Sequence, residues 1–258
     1  MTDVITERRK LGKRHPKRDE RNLQLAKYLR SSLPTPPKSV DYTKKCDTLW
    51  PMYANDRVGD CTCATAGHML QVWSANGREK EVEVTERAVL GFYSRVTGYD
   101  PRKPETDNGA IELDVLKAWA KGGLAGYRIG AYVEVSLSNT VLVQDGLYLF
   151  GGLYSGFALP ESAQHQAVWD VPAGGARGKG EPGSWGGHAV PLVAYDARGL
   201  TCVTWGGLQR MTWSFFKTYC DEAYAIISTQ FLSATTKKTP AGFDLATLRK
   251  VLALVKGG

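Results

Sequence analysis

The sequence contains no run of about 18 consecutive apolar residues, which excludes an ordinary membrane-spanning helix. Met1 to Arg21 is densely charged and has no apolar stretch, so no secretory signal is read there. There are only five cysteines, at 46, 61, 63, 202 and 220. An odd set without scaffold spacing argues against a disulfide framework and for a reducing setting, the cytosol or a particle assembled there. Histidine is scarcer, with four residues at 15, 68, 165 and 188. No second pair of ligands accompanies Cys61, Cys63 and His188, which disfavours a metal centre. Gly178-Lys179-Gly180 lacks the following Ser or Thr of a phosphate-cradling loop. No cofactor is therefore implied.

What is present is an ordinary globular composition, 43% hydrophobic and 23% charged, in 258 residues, enough for one large domain or two small ones. The charge is uneven. Residues 1–45 hold thirteen Lys or Arg against five Asp or Glu, a net of +8 within a total of +7. Such a basic arm either stays solvated or docks on an acidic surface or an assembly partner. His15 falls within it and reads as solvated. Residues 22–30 have helical spacing, and Leu33 to Lys38 is proline-rich and extended. The compact domain is expected to start near Cys46 to Trp50 and to run to about residue 233.

Helices are predicted over 61–75, 85–96 (with Thr85 as N-cap) and 112–121, the last stopped by Gly122-Gly123. The aromatics Tyr93, Tyr99 and Trp119 fall at helical spacings and read as core. Short β-branched or aromatic runs at 127–135, 147–154, 189–195, 200–205 and 223–230 read as strands. Gln144-Asp145 reads as a turn. Pro172 to Gly187 carries seven glycines and reads as a flexible loop. Residues 234–242 read as a linker, and 243–255 as a terminal amphipathic helix, docked on its own domain or offered to a partner. Helices first and strands later predict an α+β fold, a helical half packed against an antiparallel sheet or barrel half with a cleft between them.

One segment carries chemistry. In Asn55-Asp-Arg-Val-Gly-Asp-Cys61 an amide side chain precedes a cysteine by six residues, and the cysteine opens a helix. A helix N-terminus lowers a thiol's pKa, and a nearby amide N–H can stabilise an oxyanion. His188 stands at the mouth of an apolar strand after a glycine-rich approach, a position suited to a general acid and base. His68 lies two turns along the Cys61 helix and reads as structural, and His165 falls in a polar loop.

These residues, with three further elements, resemble the papain-like cysteine peptidase family. Asn55 stands where that family has Gln, Gly59 at its turn glycine and Cys61 at its nucleophile. Asn108-Gly109 is similar to the element whose backbone binds extended substrate. His188-Ala189-Val190 matches the His-Ala-Val of the general base, and Trp205-Gly206 the Trp-Gly turn that shields the histidine. The resemblance implies a peptide or peptidoglycan-like substrate, a Cys61–His188 pair and an oxyanion donor at Asn55. It departs in three places: Thr62 replaces an aromatic, Val58 replaces a disulfide cysteine, and the orienting Asn is missing. Counted back from Trp205 that position is Val203. Counted forward from His188 it is Thr204, whose hydroxyl can pair with the ring.

Two other likenesses bear on function. Asp60-Cys61 resembles the Asp-Cys of NlpC/P60 cell-wall peptidases, without their following Ser-Gly. The run Asp56 to Cys61, with Met211 to Phe216 and Tyr219 to Ala223, is similar to actinobacterial and phage proteins. The latter implies a catalytically silent assembly role, for example in a virion, with residues 1–45 and the terminal helix as docking appendages. A third use of residues 1–45 is as an inhibitory pro-segment.

Overall fold

A computed structural model describes residues 9–17, 19, 35–47, 49–78 and 80–248. The helix predicted over 22–30 and residues 249–255 of the terminal helix lie outside them. Five helices occur among the described residues: α1 (Cys61–Gly77), α2 (Glu86–Thr97), α3 (Glu112–Gly122), α4 (Thr140–Phe150) and α5 (Trp213–Tyr219). Eight strands accompany them: β1 (Val40–Asp41), β2 (Ala131–Glu134), β3 (Leu153–Leu159), β4 (Val168–Trp169), β5 (Gly186–Asp196), β6 (Gly199–Thr204), β7 (Gly207–Thr212) and β8 (Cys220–Ile227). None of these helices is long and apolar enough to cross a membrane.

α1 runs through the middle of the structure, and all its residues but Asn76 are buried. Small residues make this possible. A methyl group added at Gly67 would meet Tyr53 at 2.8 Å. Farther along, Trp73 stacks on Trp119 of α3 and donates its indole N–H to Phe150 O at 2.8 Å. α2 starts where Thr85 Oγ1 accepts from Ala88 N, and ends at Gly98 with φ +80°. α3 stops at Gly123, with φ +77° and ψ 166°. Tyr93 and Trp119 are core residues, and Tyr99 packs against the core partly buried.

The strands form one open sheet in the order β2-β8-β3-β5-β6-β7-β4, with β1 added beside the end of β5. Every pairing is antiparallel except β4 with β7. The fold is thus α+β as expected, with an open sheet and no closed barrel. β5 is the axis of this half: its start pairs with β3, its end with β6, and α1 lies against it.

The local assignments differ from expectation in five places. The run 147–154 is not a strand. Asn139 caps α4 by accepting from Val141 N and Leu142 N, Gly151 ends it with φ +73°, and β3 begins only at Leu153. Gln144-Asp145 is therefore in mid-helix and not a turn. Only 131–134 of the run 127–135 pairs as a strand, because Leu124 and Tyr127 close a tight turn first. β7 and α5 follow the Trp205-Gly206 turn without having been anticipated. Finally, the body begins before Cys46: Val40-Asp41 pairs with Ala194-Tyr195, and Tyr195 donates to Pro37 O at 2.8 Å.

Candidate active site

Two elements converge on one point. The first is the start of α1. Asp60 occupies the N-cap position without a side-chain cap bond, so its buried carboxyl makes no hydrogen bond of good geometry among the described residues. Burial pushes that carboxyl well above the usual range, only partly opposed by hydrogen bonding, Asn55 included. The turn before it is pinned by Asp107, whose oxygens accept from Gly59 N at 3.0 and 3.1 Å and from Tyr93 Oη at 2.7 Å. Asp107 was not singled out in the sequence, since no motif spacing links it to Cys61, and Tyr93 was read only as a core aromatic.

The second element is β5 with β6. His188 is buried, and its Nε2 lies 2.7 Å from Thr204 Oγ1. Its ring stacks on Trp205 at 4.1 Å with an interplanar angle of 10°. Its Nδ1 makes no hydrogen bond among the described residues. Of the two countings, Thr204 is the residue whose side chain meets the ring, while Val203 is a core residue that also lines the chamber beside Cys61. Cys61, Asn55, Ala189, Thr204 and Trp205 line one small chamber of about 10 Å³. The backbone N–H groups of Ala189 and Gly12 favour the ionised form of the Cys61 thiol.

Gly12 belongs to the basic arm, the segment for which one reading of the sequence is an inhibitory pro-segment. Residues 9–14 lie across the site as an extended segment. Lys10 N donates to Asn55 O at 3.0 Å, Ala110 N to Gly12 O at 2.8 Å, Lys13 N to Gly187 O at 3.1 Å and Arg14 N to Ala110 O at 2.9 Å. The carbonyl of Lys10 accepts from both Asn55 Nδ2 and Trp205 Nε1, each at 3.3 Å. The Arg9 guanidinium sits 5.2 Å over the Trp205 ring. His15 beyond them is exposed, as expected.

The slot accepts this segment because glycines meet in it. A Cβ at Gly12 would lie 1.8 Å from Gly59 O. The backbone that pairs with the arm belongs to Ala110, one residue beyond the Asn108-Gly109 element. Asn108 Nδ2 turns to Glu105 O, and Gly109 N donates to Tyr93 Oη.

Burial sets the protonation of the site. Burial pushes the Cys61 thiol up to about 12, outweighing the main-chain N–H groups that favour thiolate. This reverses the expectation of a thiolate at neutral pH: the helix terminus is present, but desolvation wins. Burial, and then the Arg9 charge, pull His188 down to about 3. Both groups are therefore neutral while the arm is docked.

The other histidines have plain roles. His68 is buried against Tyr53 and near Gln71, a structural residue of α1. His165 ends a short 3-10 turn. All five cysteines are free.

Lys13 was also not anticipated as a site residue. Its side chain is 1% exposed, and its ammonium lies 2.9 Å from Asp221 Oδ2 and 3.2 Å from Glu222 Oε1. Burial alone would lower it; the carboxylates of Glu112, Asp221 and Glu222 outweigh that and hold it at about 12.

The sequence matches no protein-family model and no curated protein. Solved structures do match. Xylellain, a cysteine protease from Xylella fastidiosa, aligns with a TM-score of 0.62 over 86% of this chain and 97% of its own, at 17% identity. Digestive procathepsin L 3 from Tenebrio molitor larval midgut gives 0.57 over 87% and 77%, at 12% identity. Procathepsin B S9 from Trypanosoma congolense gives 0.58 over 87% and 89%, also at 12%. The likeness is one of fold, and it establishes that this chain has the α+β fold of the papain-like cysteine proteases.

Proposed function

We propose that the chain is a papain-like cysteine peptidase or amide hydrolase whose site is held latent by residues 9–14. The observation that carries this reading is the state of His188. Its Nε2 is taken by Thr204 and its face by Trp205, while Nδ1 is left without a partner. The neighbouring Ala189 lines the same small chamber as Cys61. In the tautomer that donates Nε2–H to Thr204, Nδ1 carries the lone pair and can take the thiol proton.

The steps then follow from the residues. With the arm displaced, water and substrate replace buried protein around the pair, and Arg9 no longer opposes an imidazolium. Cys61 gives its proton to His188 and attacks the substrate carbonyl. The oxyanion that forms is met by Asn55 Nδ2–H and the Cys61 N–H. Asn55 already donates to a peptide carbonyl, that of Lys10. His188 returns the proton to the leaving amine, and water then releases the acyl group by the same route reversed. Thr204 is a positioning residue that holds the ring plane.

The test is an epoxysuccinyl probe applied to the full chain carrying Gly12→Ala, which opens the slot. Covalent labelling is expected there and is expected to vanish with Cys61→Ala. Labelling that persists without Cys61 would falsify the proposal. So would no labelling in a folded, arm-open chain, which would leave a silent papain-type scaffold.

A further inference from the structure

The Lys13 side chain enters a pocket that is more than an anchor for the arm. Its far wall is Glu112, at the first turn of α3, with no exposed surface; neither of its oxygens makes a hydrogen bond among the described residues. Glu222, 4% exposed, forms a second wall and accepts from Tyr224 Oη at 3.0 Å. Asp221 stands at the mouth. The third wall is the bare backbone of Gly156. A Cβ there would fall 2.0 Å from Lys13 Cε and 2.6 Å from Glu112 Oε1, so any side chain would fill the pocket.

Buried carboxyl groups without hydrogen bonds are costly unless a cation meets them. Here the space that the Lys13 side chain fills runs past Gly156 to Glu112, which makes no hydrogen bond among the described residues, and to Glu222. The pocket also opens beside Gly187 and Ala110, whose backbone groups hold the extended chain that passes Cys61.

We infer that Glu112, Glu222, Asp221 and the open face of Gly156 form a subsite that selects a lysine side chain in the substrate. This rests on the peptidase reading above. Lys13 is then a placeholder: the arm presents to the subsite the side chain it selects, and Gly12 carries the main chain past Gly59. The narrowness at Gly156 favours an unbranched ammonium over the broader guanidinium of arginine, and the carboxyl groups reject an apolar chain of the same length.

Two measurements on full-length chains separate this inference from the reading it rests on. In the chain carrying Gly12→Ala and Cys61→Ala, binding of fluorescent peptides is followed by polarisation. One set has the sequence of residues 10–14 and another is unrelated extended peptides. Each is made with lysine or with norleucine at one position. The lysine forms of both sets are expected to bind about 100-fold more tightly, consistent with the cost of leaving a buried charge cluster unpaired. Gly156→Ala or Glu222→Gln is expected to cut that ratio below tenfold in a chain that melts normally. In the chain carrying Gly12→Ala alone, turnover of the unrelated peptides is expected to show the same preference.

Equal binding of lysine and norleucine forms would overturn the subsite, whatever the turnover. A preference confined to the arm sequence would also overturn it, reducing the pocket to an anchor. Lysine preference in binding without turnover of any peptide would overturn the peptidase reading and leave the subsite standing.

Discussion

Replacing Gly12 with alanine tests the closed state of the site most directly. The added methyl carbon would lie 1.8 Å from Gly59 O, 2.2 Å from Gly59 C and 2.5 Å from Gly59 Cα. Ordinary contact is about 3.5 Å, so the overlap is well over 1 Å. Gly59 cannot retreat, because its N–H is held by both oxygens of Asp107 and it sits two residues before α1. The arm must therefore lift. Four main-chain hydrogen bonds between residues 10–14 and the body are lost with it. At about 1 kcal/mol each, their loss shifts the closed-to-open ratio by about 10³. The assay is the rate of iodoacetamide labelling at pH 7, resolved by cysteine. In the natural sequence the half-buried Cys46 should label first and Cys61 hardly at all, since Cys61 is 1% exposed. With Gly12→Ala, labelling of Cys61 should rise by 10² to 10³ while the melting temperature of the body stays nearly constant. Lys13→Glu, which adds a carboxylate to three others, should do the same by a different route. If both variants fold and Cys61 remains as slow as before, the arm does not govern access and the reasoning fails.

Three further outcomes follow from the same geometry. Thr204→Val leaves His188 Nε2 buried without its 2.7 Å partner; a loss of about 1–3 kcal/mol is expected, read as a 10- to 100-fold fall in turnover in the arm-open chain, with Thr204→Asn recovering most of it. Arg9→Ala removes a charge that opposes protonation of His188. By NMR the ring, neutral down to about pH 3 in the natural sequence, should titrate at a higher pH. The sign is that of a depressed base: stability from His188 is present above its unfolded value and is lost as pH falls from about 6.5 through about 3. Thr85→Ala removes the cap of α2 and should cost about 1 kcal/mol in a denaturant titration without changing Cys61 labelling.

The sequence was most readable where local chemistry and long-range packing agree. α2 carries its own cap and stop, α3 its glycine stop and apolar spacing, and His188 stands at the start of an apolar run that forms a central strand. The error at 147–154 came from weighing aromatic and apolar content over punctuation: Asn139 and Gly151 bracket a helix that takes in residues 147–150. The orienting residue could not be settled by counting, because one residue of strand register separates Val203 from Thr204 and only the fold fixes which side chain reaches the ring. The protonation of Cys61 was misjudged for a related reason. A helix terminus is visible in sequence, whereas the burial that overrides it comes from tertiary packing, with Ala189, Val203, Thr204 and Trp205 around the same chamber. The arm's path was not readable at all. Its backbone pairs with Ala110 and Gly187, and its one local sign is a glycine inside a cationic run, Leu11-Gly12-Lys13-Arg14.

That path couples two properties that are usually separate. If Lys13 fills the pocket that selects substrate, any change to the pocket alters latency and selectivity together. Substitutions at Gly156, Asp221 and Glu222 should release the arm and weaken lysine preference in proportion, because both read the same ammonium–carboxylate contacts. Substitution at Gly12 should release the arm and leave preference intact, since its clash is with Gly59 and not with the pocket. A plot of Cys61 labelling rate against lysine-over-norleucine affinity across these variants therefore separates them into a correlated line and one point off it. If the Gly12 variant falls on the line, the pocket is deformed by the arm's departure and the two properties share a conformational change. If the pocket variants scatter, Lys13 and substrate lysine use different contacts. The rigid walls argue for the first pattern. Gly156 is bonded into the middle of β3 between β5 and β8, and Glu112 is fixed at the first turn of α3, so neither has the freedom to follow the arm as it leaves.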